Sequence, residues 1–139
     1  MQSFPPLPLP GHCQCGAVAY QIDQTPLQLN ICHCTDCQKQ SGSAFGMSLV
    51  IKPESFRLIK GRLQEFQVST DSGREKTCAF CPGCGVRIFN RSQALMSVKA
   101  GTLDDTSWLA PDGHYWTRSK QGWTTLPEHT PCFETVPGD

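Results

Sequence analysis

Nine cysteines dominate the chemistry available to this sequence, and eight fall in three tight groups: Cys13 and Cys15 in CQC, Cys32, Cys34 and Cys37 in CHCTDC, and Cys78, Cys81 and Cys84 in CAFCPGC. Cys132 stands apart. Thiolates this close together can converge on one ion from a single turn, and soft sulfur ligands select zinc among the available metals. Iron–sulfur ligation is the competing use of such groups. A disulfide framework fits less well, because an odd count leaves one thiol unpaired. The opening MQSFPPLPLP also lacks the basic residue and the continuous apolar run of a secretory signal. The expectation is a reduced, cytoplasmic protein.

The segment CPGCG, Cys81 to Gly85, reads as a zinc knuckle: Pro82 and Gly83 turn the chain between two thiolates, and Gly85 lets the backbone fold under the metal. A closed tetrahedral site needs two more ligands, and CQC followed by Gly16 supplies them. Cys13, Cys15, Cys81 and Cys84 are therefore expected to hold a structural zinc that ties the start of the domain to its middle and adds folding free energy. Cys32, Cys34 and Cys37 offer three thiolates on one short segment. Three protein ligands with an open fourth position is the arrangement of a catalytic zinc. On the residues alone, Cys78 could instead complete a second closed site, or be an ordinary buried thiol in a strand. His33 lies between two of these cysteines, and neighbours along an extended segment point to opposite sides. It is expected beside the site or at the surface, not as a ligand.

Positioning these groups requires a scaffold, and the sequence spells one in short strands. Stretches of strand length recur as GAVAYQI, LQLNI, AFGMSLVI, FRLIK, LQEFQV, KTCAF, VRIFN and LMSVKA, punctuated by turn signals in KPES, KGR, TDSGRE and AGTLDD. This predicts a mainly β, antiparallel protein. One short helix is expected over TDCQKQSG, opened by Thr35 or Asp36 as cap and closed by Gly42, with its first amides aimed at the Cys32 group. A proline-rich arm (1–10) precedes a single zinc-binding β domain (11–139). The tail from Trp108 onward carries HYWTRSKQGW and then proline-punctuated coil, and is expected to lie across the sheet.

Composition narrows the partners. Twelve Lys and Arg balance twelve Asp and Glu, so no extended field draws the chain to nucleic acid or anionic lipid. No apolar run approaches the roughly 18 residues of a bilayer span. Leu, Ile, Val and Phe make up 29 of 139 residues, close to the roughly one-fifth at which a core becomes thin, so metal must help hold the fold.

The three groups GHCQCGAVAY, CHCTDCQKQSGSAF and CPGCGVRIF, in this order and spacing, together with VKAGTLDD and HYWTRSKQGW, resemble the glutathione-dependent formaldehyde-activating enzyme family, whose domain is shared with centromere protein V. The resemblance runs from about Gly11 to Trp123. It implies folded-over antiparallel sheets, a β-tent, around two zinc ions. In that scheme Cys13, Cys15, Cys81 and Cys84 hold the structural ion. Cys32, Cys34 and Cys37 hold the catalytic one, with an exchangeable fourth position and Cys78 left out. It also implies the activity: a carbon–sulfur lyase, or its reverse, that joins glutathione and formaldehyde as S-hydroxymethylglutathione. One departure is visible, since Val86 stands where the family carries a small polar residue, often Thr, after the knuckle.

The expected partners are thus a glutathione-like thiol and a small aldehyde, while a binding module with two purely structural zincs is the alternative. Glutathione carries two carboxylates, so Lys39, Arg87, Lys99, Arg118 and Lys120 are candidate cations for it. Ser41, Ser43 and Phe45 are candidates to line a pocket. Trp116 and Trp123 are expected to pack on the sheet, and His114 is a candidate proton carrier or buried structural histidine. Asp104 and Asp105 are assigned to a turn. His12 and His129 show no partner pattern.

Overall fold

Alternation builds the sheets. Strands β2 (Ala19–Ile22), β3 (Gln28–Cys32) and β9 (Leu95–Lys99) bury every second residue, which sends Tyr20, Ile22, Leu29, Ile31, Met96 and Val98 inward. The structure, a computed structural model, describes residues 5–69, 75–92 and 94–136. Its remaining strands are β1 (Leu9–His12), β4 (Gly46–Ile51), β5 (Phe56–Lys60), β6 (Gln64–Ser69), β7 (Glu75–Phe80), β8 (Arg87–Ser92) and β10 (Gly113–Tyr115). They form a three-stranded sheet in the order β1-β2-β5 and a seven-stranded sheet in the order β10-β3-β4-β9-β8-β7-β6. The mainly β architecture, with folded-over sheets and one α-helix among the described residues, is the one anticipated.

The two sheets meet over one core. Phe56 bridges them, its ring 5.1 Å from that of Tyr20 and 5.0 Å from that of Phe89. Leu49, Ile51, Ile88 and Val98 close the cluster from the larger sheet, and Cys13 and Cys81 belong to the same buried group. Gly11 is required here. A Cβ at this position would lie 2.3 Å from Cζ of Tyr20, whose hydroxyl is hydrogen-bonded to Oγ1 of Thr102 at 2.6 Å.

Several local expectations are corrected. Strand β1 begins at Leu9, inside the proline-rich arm. In the tail, β10 joins the edge of the larger sheet and runs parallel to β3, a pairing that the antiparallel expectation did not include. The N–H of His114 donates to the carbonyl of Pro131 at 2.9 Å, and Asp112 exchanges hydrogen bonds with Leu29, N–H to carbonyl and N–H to carboxylate, each 2.8 Å. A three-residue strand is too short to show a period, so it escapes pattern reading. Trp123 does not pack on the sheet but is 73% exposed. The turn expected in TDSGRE falls largely on residues 70–74, outside the described residues.

Helix α1 (Thr35–Ser41) lies where TDCQKQSG predicts it, ended by Gly42 in the left-handed region at φ 62°. Its cap differs from expectation. Cys34 opens the helix, with Sγ accepting from the Cys37 N–H at 3.3 Å in place of a Thr or Asp oxygen. Gln38 ties the helix down, its Nε2 donating to the carbonyls of His33 at 2.9 Å and Ser119 at 3.0 Å.

Candidate metal centres

Two turns bring the first four sulfurs together. In the knuckle, the N–H of Cys81 donates to the Val86 carbonyl at 2.9 Å and the N–H of Gly85 to the Cys81 carbonyl at 2.8 Å, with Gly85 at φ 78°. In CQCG, the N–H groups of Cys13 and Gly16 donate to the carbonyls of Val18 and Cys13 at 3.0 and 3.1 Å. Sγ of Cys13, Cys15, Cys81 and Cys84 lie within 4.8 Å of one another. Cys13 and Cys15 are 3.6 Å apart, and Cys15 and Cys81 3.8 Å. Four sulfurs about 2.3 Å from a tetrahedral zinc would be about 3.8 Å apart, so these residues fit that ion.

Backbone amides prepare the same atoms for charge. The N–H of Val18 points at Sγ of Cys13 and that of Gly83 at Sγ of Cys81, each at 3.3 Å. Burial raises the Cys13 pKa, but the Val18 N–H and contacts with Cys15, Cys81 and Cys84 outweigh it and bring the thiol down to about 6. Cys15 has the Ala17 N–H in favour of its thiolate, yet the neighbouring sulfurs, Cys13 first, push it up to about 11.

The second group converges as well. Sγ of Cys32, Cys34 and Cys37 lie within 4.8 Å of one another, and no fourth Cys, His, Asp or Glu joins them among the described residues. Hydrogen bonds from the Cys32 and Cys37 thiols, then from the Cys37 and Asp36 N–H groups, take Cys34 down to about 2 against the effect of burial. Cys32 is correspondingly pushed up by donating to Cys34 and Cys37. Cys37 gains from its contact with Cys32, but Cys34 and burial outweigh this and raise it. Each group thus gathers anionic sulfur that a cation can satisfy. Cys78 belongs to neither; it is buried in β7, opposite Phe66 of β6 and Asn90 of β8. Cys132, exposed in the tail, is likewise outside both.

A cleft of about 430 Å³ opens beside the second group. Gly46, which is paired with Cys32 and packed on Cys37, lines it. Its walls include Ser41, Ser43 and Phe45, as expected, together with Val86 after the knuckle. Arg87 and Lys99 also line it, and both reach Oε1 of Gln40, at 3.2 and 3.0 Å. Burial pushes the Lys99 pKa down, and the nearby Cys37 sulfur pulls it partly back.

The other expected cations lie elsewhere. Lys39 and Trp123 line a separate open groove, Arg118 sits 4.9 Å over the Trp116 ring, and Lys120 lies close enough to His33 to disfavour its protonation.

His33 is neither a ligand nor at the surface. It is fully buried, its ring stacked on that of His114 with Nε2 3.0 Å from Nδ1 of His114. Asp105 makes the expected turn, its carboxylate accepting from the Ser107 N–H and hydroxyl at 2.9 and 2.6 Å, whereas Asp104 pairs with His12. Sequence analysis missed Gln40, Asn90 and the histidine pair, because the contacts of Gln40 with Arg87 and Asn90 and of His33 with His114 span 47 to 81 residues and leave no local pattern.

The chain matches the glutathione-dependent formaldehyde-activating enzyme family over residues 8–119. It belongs to that family. The matched span includes both cysteine groups, α1 and the cleft, and stops before Trp123 and Cys132. A Rhodobacter sphaeroides protein of known crystal structure has the same fold, with a TM-score of 0.58 and 19% identity over 72% of this chain and 92% of that one. A search of curated proteins gave no match. Family membership agrees with two cysteine groups able to hold zinc, and no helix among the described residues is long and apolar enough to cross a membrane.

Proposed function

We propose that the chain is a zinc-dependent carbon–sulfur lyase, or its adduct-forming reverse, acting on a glutathione-like thiol and a small aldehyde such as formaldehyde in the cytoplasm. In this reading Cys13, Cys15, Cys81 and Cys84 hold a structural zinc, and Cys32, Cys34 and Cys37 a catalytic one. The observation that carries it is the second cysteine group: three convergent sulfurs, with no fourth protein ligand among the described residues, beside a cleft large enough for a small molecule.

Cys32, Cys34 and Cys37 would hold the zinc ion, which would supply Lewis acidity that favours the deprotonated, nucleophilic form of a thiol. The protein's part is to hold and surround the reactants. Phe45, Met47 and Val86 line the cleft with apolar side chains, and Ser41 and Ser43 add hydroxyl-bearing residues to its lining. Lys99 sets positive charge near Cys37, where anionic sulfur gathers. In the adduct-forming direction a sulfur–carbon bond forms, the carbonyl π bond breaks, and the proton lost by the thiol ends on the new hydroxyl.

The test is product formation from glutathione and formaldehyde, followed by carbon-13 exchange between free aldehyde and adduct. Acceleration by the zinc-loaded protein, lost in Cys34→Ser, is the expected result. No acceleration with any thiol would return the second cysteine group to a structural role.

A further inference from the structure

Three of the residues that line the cleft, Gln40, Arg87 and Lys99, belong to a concentration of hydrogen-bond donors on a single acceptor. Oε1 of Gln40 accepts from Nη2 of Arg87 at 3.2 Å, Nδ2 of Asn90 at 3.0 Å and Nζ of Lys99 at 3.0 Å. Nη2 of Arg87 also donates to Oδ1 of Asn90 at 2.9 Å. A neutral amide oxygen therefore stands where two cations converge. The ion pairs among the described residues, His12–Asp104 and Arg57–Asp23, involve neither of them. Nε of Arg87 is buried and has no hydrogen-bond partner. An arginine with an unused, desolvated donor beside a lysine of the same sign is costly unless an anion completes it.

We propose that Arg87 and Lys99 form a carboxylate-binding subsite of the cleft, with Gln40 as the group that an incoming carboxylate displaces. The inference rests on the thiol-and-aldehyde reading, and names how the thiol is selected: by an acidic end, held across the cleft from the reacting sulfur. Arg87 offers Nε and Nη2 as a fork for two carboxylate oxygens, and Lys99, which meets the same Gln40 oxygen, adds a point charge beside it. The amide of Gln40 keeps the two cations apart until the substrate arrives. Asn90 steadies the guanidinium from β8, and the Phe66 ring, 5.0 Å from its Cζ, steadies it from β6.

Calorimetric titration of the zinc-loaded protein with S-methylglutathione, and with its dimethyl ester, tests the subsite without a free thiol. The acid is expected to bind at least about tenfold more tightly than the ester. Lys99→Met is expected to remove that preference while leaving the ester's affinity unchanged. Arg87→Gln should do the same, and Lys99→Met keeps the test intact if loss of the Phe66 contact unfolds the Arg87 variant. Equal binding of acid and ester, or a preference that survives Lys99→Met, overturns the proposal. A parallel titration of cobalt-substituted protein with glutathione separates the two ideas. A shifted cobalt absorption with no acid preference removes the subsite and leaves the thiol reading. An acid preference lost in Lys99→Met with no cobalt response keeps the subsite and removes the thiol reading.

Discussion

Cys34 and Cys81 are both thiol ligand candidates, yet their surroundings differ. Cys34 is half-buried at the mouth of α1, whereas Cys81 is fully buried in the core cluster with two N–H groups and a turn built around it. Cys34→Ser is expected to lower zinc content from two equivalents to one and abolish turnover while the far-ultraviolet circular dichroism stays native. Cys81→Ser is expected to cost about 4 kcal/mol or more and unfold much of the chain. Equal loss of structure in both variants would argue against separate roles.

The histidine pair makes a second prediction at this scale. Burial holds the pKa of both His33 and His114 below the ordinary 6.5, and at His33 the His114 and Lys120 charges push it further the same way. The unfolded chain therefore takes up protons first as pH falls, so stability present above about 6.5 is lost progressively below it. Urea midpoints between about pH 7.5 and 5.5, with zinc retention followed alongside, should decline, and His114→Phe should flatten the decline. An unchanged slope in that variant removes the pair as its source.

At the scale of elements, strand β1 depends on a residue without a side chain. Tyr20 cannot yield to a methyl group at position 11, because its ring is stacked on Phe56 and its hydroxyl is anchored by Thr102. Gly11→Ala is expected to lower stability by about 1–3 kcal/mol, read as a shifted urea midpoint with unchanged m-value and unchanged zinc content. The same strand marks the limit of what pattern reading finds. β2 to β9 were legible because each carries its own apolar period or β-branched run, and the knuckle because two thiolates, a turn and a glycine are contiguous. β1 hides behind prolines and β10 in three residues, so neither contains enough chain to show a period. The Arg87, Lys99, Gln40 cluster was half visible. The cations could be named as candidates, but their meeting on α1 is fixed by sheet register, through Lys99 opposite Ser48 and Asn90 opposite Ser97, not by any spacing in sequence.

For the whole molecule, the thin aliphatic content and the placement of Cys13 and Cys81 inside the core support the proposal that one metal is part of the fold. Graded chelation, followed together by a zinc-sensitive dye and by circular dichroism, should therefore release zinc in two steps. The first equivalent, from Cys32, Cys34 and Cys37, is expected to leave with the native spectrum retained, and the second with cooperative unfolding. A single step that unfolds the chain at once would mean that both ions are structural.

The fourfold sulfur site joins two turns whose facing members, Cys15 and Cys81, are 66 residues apart. On the ribosome the first pair of thiols emerges well before its counterpart exists. At about 5–20 residues per second the wait is about 3–13 seconds, during which the nascent chain holds half a coordination sphere open to oxidants and stray metals. With zinc bound there as proposed, the yield of folded protein is expected to follow the reducing power and metal supply met during synthesis, before any native sheet has closed.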